Sequence, residues 1–164
     1  MDASACRKLK RFVEFCEQFH LPVISFVDEP GFMIGLQAEQ DGTIRAGAEA
    51  LTTVATTTVT WASVVMRKNM GLASALHYAD QSYVLAWPSA EFGALPVEGG
   101  VALAFKRDIE AAEDPEAKRQ ELEEQFAARQ SPFPRAEAFA VHDLINPGET
   151  RPRLCEWLAL AQPS

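Results

Sequence analysis

Most of the features that announce a chemistry are missing from this sequence. Its three cysteines, Cys6, Cys16 and Cys155, are odd in number, far apart and without a C-x-x-C pair. They argue against a disulfide framework and read as reduced, buried thiols of a cytoplasmic protein. His20, His77 and His142 are too widely spaced for a metal-ligand pattern, and no metal is expected. Basic charge is scarce: 15 Lys and Arg against 23 Asp and Glu leave a net charge of −8. Such a surface gives no electrostatic reason to bind nucleic acid or an anionic membrane. The one basic cluster, Arg7-Lys8-Lys10-Arg11, reads as the solvated face of a helix. No apolar run is long enough to cross a bilayer, and the polar N-terminus does not read as a signal peptide. There is no G-x-S-x-G, G-x-G-x-x-G or Walker loop, and Ser74 has no identifiable partner for a nucleophilic triad.

What remains is enough chain for one domain: 164 residues, 48% of them hydrophobic, can bury a real core. The stretch that organises it runs from Thr58 to Tyr78. Val59, Trp61, Val64 and Val65 form a β-branched, apolar run that reads as a buried strand. Gly71 breaks it, and Leu72 to Tyr78 reads as a short apolar helix. A strand that turns through glycine into a helix leaves its first N–H groups without intrahelical partners. From the residues alone, that turn is either a backbone cradle for a negatively charged oxygen or a plain change of direction.

The remaining elements alternate. A helix from Ala5 to His20 presents Leu9, Phe12, Val13, Cys16 and Phe19 to a core. Val23–Val27 reads as a strand ending in the proline–glycine turn Asp28-Glu29-Pro30-Gly31-Phe32, followed by a loop to Gly42. A helix is expected over Thr43–Ala55, a strand over Ser82–Trp87, an extended piece to Leu95 and a helix through about Ile109. Asp114-Pro115 caps a charged helix to Gln130 whose few apolar residues suggest a surface excursion. A linker-like stretch Ser131–Pro134, a helical turn Ala136–Phe139, a strand Val141–Ile145 and a terminal helix with Leu154, Trp157 and Leu158 complete the chain. Helix alternating with strand makes the class α/β. Glu91 and Glu98 flank the second glycine segment as a general acid or base, or as ordinary polar residues. Backbone donors at Gly71 and Pro30-Gly31 are the stronger candidates.

Four segments together carry a family resemblance: Arg11–Gly35 (RFVEFCEQFHLPVISFVDEPGFMIG), Arg67–Leu76 (RKNMGLASAL), Leu85–Val101 (LAWPSAEFGALPVEGGV) and His142–Leu154 (HDLINPGETRPRL). In this order they resemble the C-terminal, biotin-side half of the biotin-dependent acyl-CoA carboxyltransferase subunit, the beta type of acetyl-CoA and propionyl-CoA carboxylases. The resemblance implies a crotonase-like fold of repeated ββα units, present as a single domain over residues 1–164, without the acyl-CoA-binding N-terminal half. It implies transfer of a carboxyl group from carboxybiotin to the α-carbon of an acyl-CoA. Biotin would arrive on a separate carrier protein, and the acyl-CoA-binding half would be a partner in an oligomer. Carried over by position, the N–H groups of Leu72 and Ala73 beside Gly71 form the ureido oxyanion hole, and Pro30, Gly31 and Phe32 line the biotin pocket. Many relatives have Gly-Gly-Ala-x-Asp where this chain has Gly71-Leu72-Ala73-Ser74-Ala75, so their acyl preference does not transfer. Two other readings stand beside it: a non-catalytic assembly or regulatory subunit, or truncated relic, that kept the fold, and a free-standing hydratase or isomerase. The second needs a placed Glu pair and an acyl-CoA pocket in one chain, and the biotin-side likeness argues against it.

Overall fold

The computed structural model describes residues 1–161, the Glu98 side chain excepted. Asp2 opens the first helix, α1 (Ala3–Gln18), by accepting the Ala5 N–H at 2.7 Å. It is followed by β1 (Val23–Glu29), α2 (Leu36–Gln40), α3 (Thr43–Thr56), β2 (Trp61–Met70), a 3-10 helix (Leu72–His77), β3 (Tyr83–Ala86) and β4 (Glu91–Gly93). The second half comprises α4 (Val97–Ala104), α5 (Lys106–Glu110), α6 (Pro115–Gln130), α7 (Phe133–Glu137), β5 (Asp143–Leu144), a 3-10 turn (Pro147–Glu149) and α8 (Thr150–Ala161).

Every strand pairing is parallel, in the order β1-β2-β3-β5, with β4 added beside the far end of β2. Parallel sheets need cover on both faces. Val27, Val65, Val84 and Ala86 pack on one face with Tyr78 and Phe92, and Trp61 and Val23 of that face meet Val13, Cys16 and Val54 of α1 and α3. Ala62, Val64 and Leu85 face the opposite way, onto Ile145 and Leu154.

Several expectations needed correction. The side of α1 that packs on α3 is built of small residues, Ala3 and Cys6 against Ala46 and Ala50, with Leu9, Val13 and Cys16 continuing the buried stripe. Phe12 and Phe19, read as core, are 52% and 58% exposed, because α1 turns the stripe of Ala3, Cys6, Val13 and Cys16 inward instead. The expected loop to Gly42 contains α2. The strand read from Val59 begins at Trp61 and continues to Met70, gaining β4 as a partner. The helix expected to Ile109 breaks at Phe105 into α4 and α5, and the last strand shrinks to two residues. Ser131–Pro134 is no linker: Pro132 is the N-cap of α7 and Pro134 lies in its first turn, where a missing N–H costs nothing, so the helix starts earlier than Ala136. Most of α6 is exposed, as a surface helix should be, yet it is anchored. Its Leu122 is buried, and Phe126 meets Phe105 with ring centroids 5.3 Å apart. Cys6 and Cys16 are buried as expected, and burial pushes both thiols up, whereas Cys155 is exposed.

Gly47 fixes how α3 meets the proline–glycine turn. A Cβ there would stand 2.6 Å from Phe32 Cζ. Gly47→Ala should therefore destabilise the chain by about 1–2 kcal/mol despite the better helix propensity of alanine. Pairing it with Phe32→Leu should recover part of the loss in urea unfolding, and an undiminished unfolding midpoint in the single variant would contradict this packing.

Candidate active-site turn

Because β1, β2 and β4 are parallel, their carboxyl ends finish along one edge of the sheet. Ligands of open α/β sheets gather at such edges. Between Val27↔Val65 and Glu29↔Asn69 the register of β1 against β2 slips by two residues. Side chains patch the slip: Asp28 Oδ1 accepts the Lys68 N–H at 3.1 Å and Ser89 Oγ donates to Met66 O at 2.8 Å. These two come from the D-E-P-G and P-S-A-E-F-G segments.

At the end of β2, Gly71 adopts φ 62°, ψ −160°, a conformation open mainly to glycine. Its N–H donates to Gly93 O at 2.8 Å, and a Cβ on it would stand 3.2 Å from Ala94 O. The N–H groups of Leu72 and Ala73 follow, and neither has a hydrogen-bond partner among the described residues. The Ser74 N–H returns to Gly71 O, and Ser74 Oγ donates to the same oxygen at 2.7 Å. Ser74 is thus committed to the turn and is no nucleophile in waiting. The element expected as a helix here is of 3-10 type, which suits a turn pinned from both ends. Ala73 and Leu76 are buried beneath it, while Leu72 is 62% exposed.

The other end of the 3-10 helix is tied to β2. His77 O accepts from Trp61 Nε1 at 2.9 Å and from Ser63 Oγ at 2.5 Å. His77 Nδ1 lies 2.9 Å from Ser25 Oγ of β1, and its Nε2 is buried without a partner among the described residues. Burial pushes the His77 imidazole below its ordinary value of 6.5, with nearby Glu29 pulling upward and the Met1 amine downward. Burial likewise pushes the Tyr78 phenol up, against a smaller opposing pull from Asn69.

The second turn stands on the same edge. Glu29, 6% exposed, accepts the Gly31 N–H at 2.8 Å and the Met1 amine at 3.2 Å. Gly31 has φ 128°, as its turn requires. Pro30 is exposed, and Phe32 is half-buried with its ring against Gly47. Met33, Ile34 and Leu36 beyond it are all exposed. Glu91 is half-buried on β4; the Glu98 side chain falls outside the described residues. Among the described residues no group of His, Cys, Asp and Glu side chains is placed to hold a metal, and no helix is long and apolar enough to cross a membrane.

The sequence profile of the carboxyl transferase domain matches residues 1–163. The chain belongs to the carboxyl transferase domain family. It is 39% identical over 160 residues to the propionyl-CoA carboxylase carboxyltransferase subunit of Haloferax mediterranei, covering 94% of this chain and 31% of that one. It is 38% identical over 164 residues to the methylmalonyl-CoA carboxyltransferase 12S subunit of Propionibacterium freudenreichii subsp. shermanii, covering 98% and 31%. The solved transcarboxylase 12S, a hexamer described with methylmalonyl-coenzyme A bound, superposes with TM-score 0.85 at 34% identity, over 100% of this chain and 34% of that one. The geranyl-CoA carboxylase beta subunit of P. aeruginosa superposes with TM-score 0.89 over 99% of this chain and 33% of its own, at 19% identity, a likeness of fold alone. The chain thus spans about a third of the length of the relatives it matches. The expected crotonase-like α/β fold is borne out, as is the family resemblance.

His77 gives this carboxyl transferase domain a pH-dependent stability. The unfolded chain takes up a proton near 6.5 while the folded imidazole resists it, so unfolding binds a proton at acid pH. The contribution is complete above about 6.5 and is lost as pH falls from there through the lower folded value. His77→Gln should flatten that part of a stability-against-pH curve measured by urea unfolding. An equally steep acid limb in the variant would assign the loss to other groups.

Proposed function

We propose that this chain is the biotin-side half of an acyl-CoA carboxyltransferase, with the acyl-CoA-binding half supplied from outside these residues. The observation that carries the reading is the unpartnered pair of N–H groups, Leu72 and Ala73, on a turn held by Gly71 and Gly93 at the carboxyl edge of the sheet. A biotin ureido oxygen accepts two hydrogen bonds, and two adjacent peptide donors suit it without any side chain. Biotin, on a separate carrier protein, supplies the carboxyl group that is moved.

The chain's own contribution is to orient and to stabilise charge. Leu72 and Ala73 donate to the ureido oxygen, most strongly when negative charge builds on it, and a backbone already fixed in place needs no reorganisation to do so. Pro30, Gly31 and Phe32 border the same edge and limit where the ring lies. No side-chain acid or base is required of this half. The competing reading, a non-catalytic assembly or regulatory subunit, is favoured by the large exposed side chain that Leu72 sets beside the donors.

Alone, the chain should not carboxylate an acyl-CoA when free biotin is supplied. Combined with an acyl-CoA-binding half and a biotinylated carrier, it should restore formation of malonyl-CoA or methylmalonyl-CoA, and a folded complex without turnover would favour the regulatory reading. Leu72→Pro deletes one donor at the first helical position, where proline is tolerated. It should raise the barrier by about 3–4 kcal/mol, slowing the reconstituted reaction roughly 10²- to 10³-fold. Ser74→Ala and Glu91→Gln should cost far less, with circular dichroism of every variant matching the parent. If Glu91→Gln were the most damaging of the three, a side-chain acid would replace the backbone pair.

The uncovered apolar surface of Phe12, Phe15 and Phe19, together with Met33, Ile34 and Leu36, suits a chain that works in an assembly. Light scattering across a dilution series should show association with itself or with the acyl-CoA-binding half. A monomer at every concentration that binds no hydrophobic dye and no companion would overturn this.

A further inference from the structure

Gln130 ends α6 far from the turn in sequence, yet it is only 5% exposed. A buried amide stays where it is because its hydrogen bonds are made. Its Nε2 donates to Leu95 O at 2.7 Å. The same nitrogen stands 2.8 Å from the place a Cβ on Gly93 would take, with Met70 Sδ 3.2 Å from that place. The amide is therefore fitted against the bare Cα of Gly93. Gly93 O accepts the Gly71 N–H at 2.8 Å, and Ala94 O is the atom a Cβ on Gly71 would approach, at 3.2 Å. Segment 93–95 is thus held on one side by Gln130 and bears on its other side the turn that presents Leu72 and Ala73. The helix that delivers the amide is itself fixed: Asp114 caps its start by accepting the Glu116 and Ala117 N–H groups at 3.1 Å, and Leu122 is buried midway.

We propose that Gln130 is a positioning residue for the Leu72–Ala73 donor pair, acting through the Gly93–Leu95 segment; its catalytic meaning rests on the proposed function of that pair. Gln130 touches no substrate. By gripping Leu95 O and filling the space over Gly93 it keeps Gly93 O where the Gly71 N–H finds it. The conformation of Gly71 in turn decides where the next two N–H groups point. Losing the amide donor leaves Leu95 O without its partner and lets the segment shift. A displacement of about 1 Å at a reacting centre can cost on the order of a hundredfold in rate.

The test uses two variants of the full chain. Gln130→Met keeps length and bulk but removes the donor, and Gln130→Glu sets a carboxylate against the Leu95 carbonyl. In amide hydrogen exchange of the chain alone, the Gly71 N–H should exchange about tenfold faster in both variants while Val27 and Ala50 keep parental rates. Unchanged Gly71 exchange in folded variants would overturn the proposal, and so would acceleration shared equally by Val27 and Ala50, which marks general destabilisation. In the reconstituted complex, kcat should fall about tenfold with KM for the acyl-CoA unchanged, since the donors serve the step and not acyl-CoA binding. A raised KM at parental kcat would overturn it. The two readings fail separately. If Leu72→Pro leaves the rate untouched, the donor pair falls and the catalytic role of Gln130 with it. If Leu72→Pro slows the reaction and Gln130→Met does not, only the assignment of Gln130 falls.

Discussion

Strand β2 is paired on both sides at Ala62–Val65 and again at Asn69, and the candidate site depends on that. Its first half lies between β1 and β3, and its last residues lie between Glu29 of β1 and the short strand β4. A strand so enclosed has little freedom to slide, because moving one residue would exchange the side chains that fit its two differently packed buried faces. Val64, Val65 and Met70 are fully buried in this register. The consequence at the end of β2 is a fixed Gly71, held by Gly93 O on the neighbouring strand. The donors that follow inherit that position. A backbone site of this kind gains its precision from the sheet and not from side-chain rotamers.

The same enclosure explains the polar residues at the two loops that flank β2. Where β1 and β2 slip in register, backbone groups would lose their ladder partners, and Asp28 and Ser89 supply replacements. Trp61 and Ser63 do a comparable service for His77 O, locking the far end of the 3-10 helix onto β2. Polar side chains thus bind the turn to the sheet at points where the regular ladder runs out.

On the helical side the balance differs. The packing of α1 on α3 uses Ala3 and Cys6 against Ala46 and Ala50, and the phenylalanines of α1 face outward. β1 has β2 on one side and, among the described residues, no strand on the other, with Ile24 and Phe26 exposed on it. The relatives, whose length is about three times the part matched here, set that surface in context.

The sequence by itself determined the elements whose signal is local. The Asp114-Pro115 start of α6, the β-branched run of β2 and the glycine turn after it follow from caps, branching and backbone freedom. The ordered segments from Arg11 to Leu154 were also enough to point to the family, because the proline–glycine, AWPSAEFG and INPGETR segments keep their order along the chain. Periodicity could not tell which side of α1 is inward. It counts apolar residues alike, whereas the side of α1 turned inward carries Ala3, Cys6, Leu9, Val13 and Cys16, so Phe12 and Phe19 were misread. Nor could local pattern foresee the partners of the end of β2, where Lys68 and Asn69 pair with β4 and Asn69 also with Glu29 of β1. Gln130 lay hidden for the same reason: a polar residue closing a charged helix carries no signal until the fold brings it to Gly93 and Leu95. Caps and turns are decided over a few residues, and the sequence holds them in full. Which side chain backs a turn thirty-five or more residues away is decided by the packing of separate elements, and only the tertiary structure determines it.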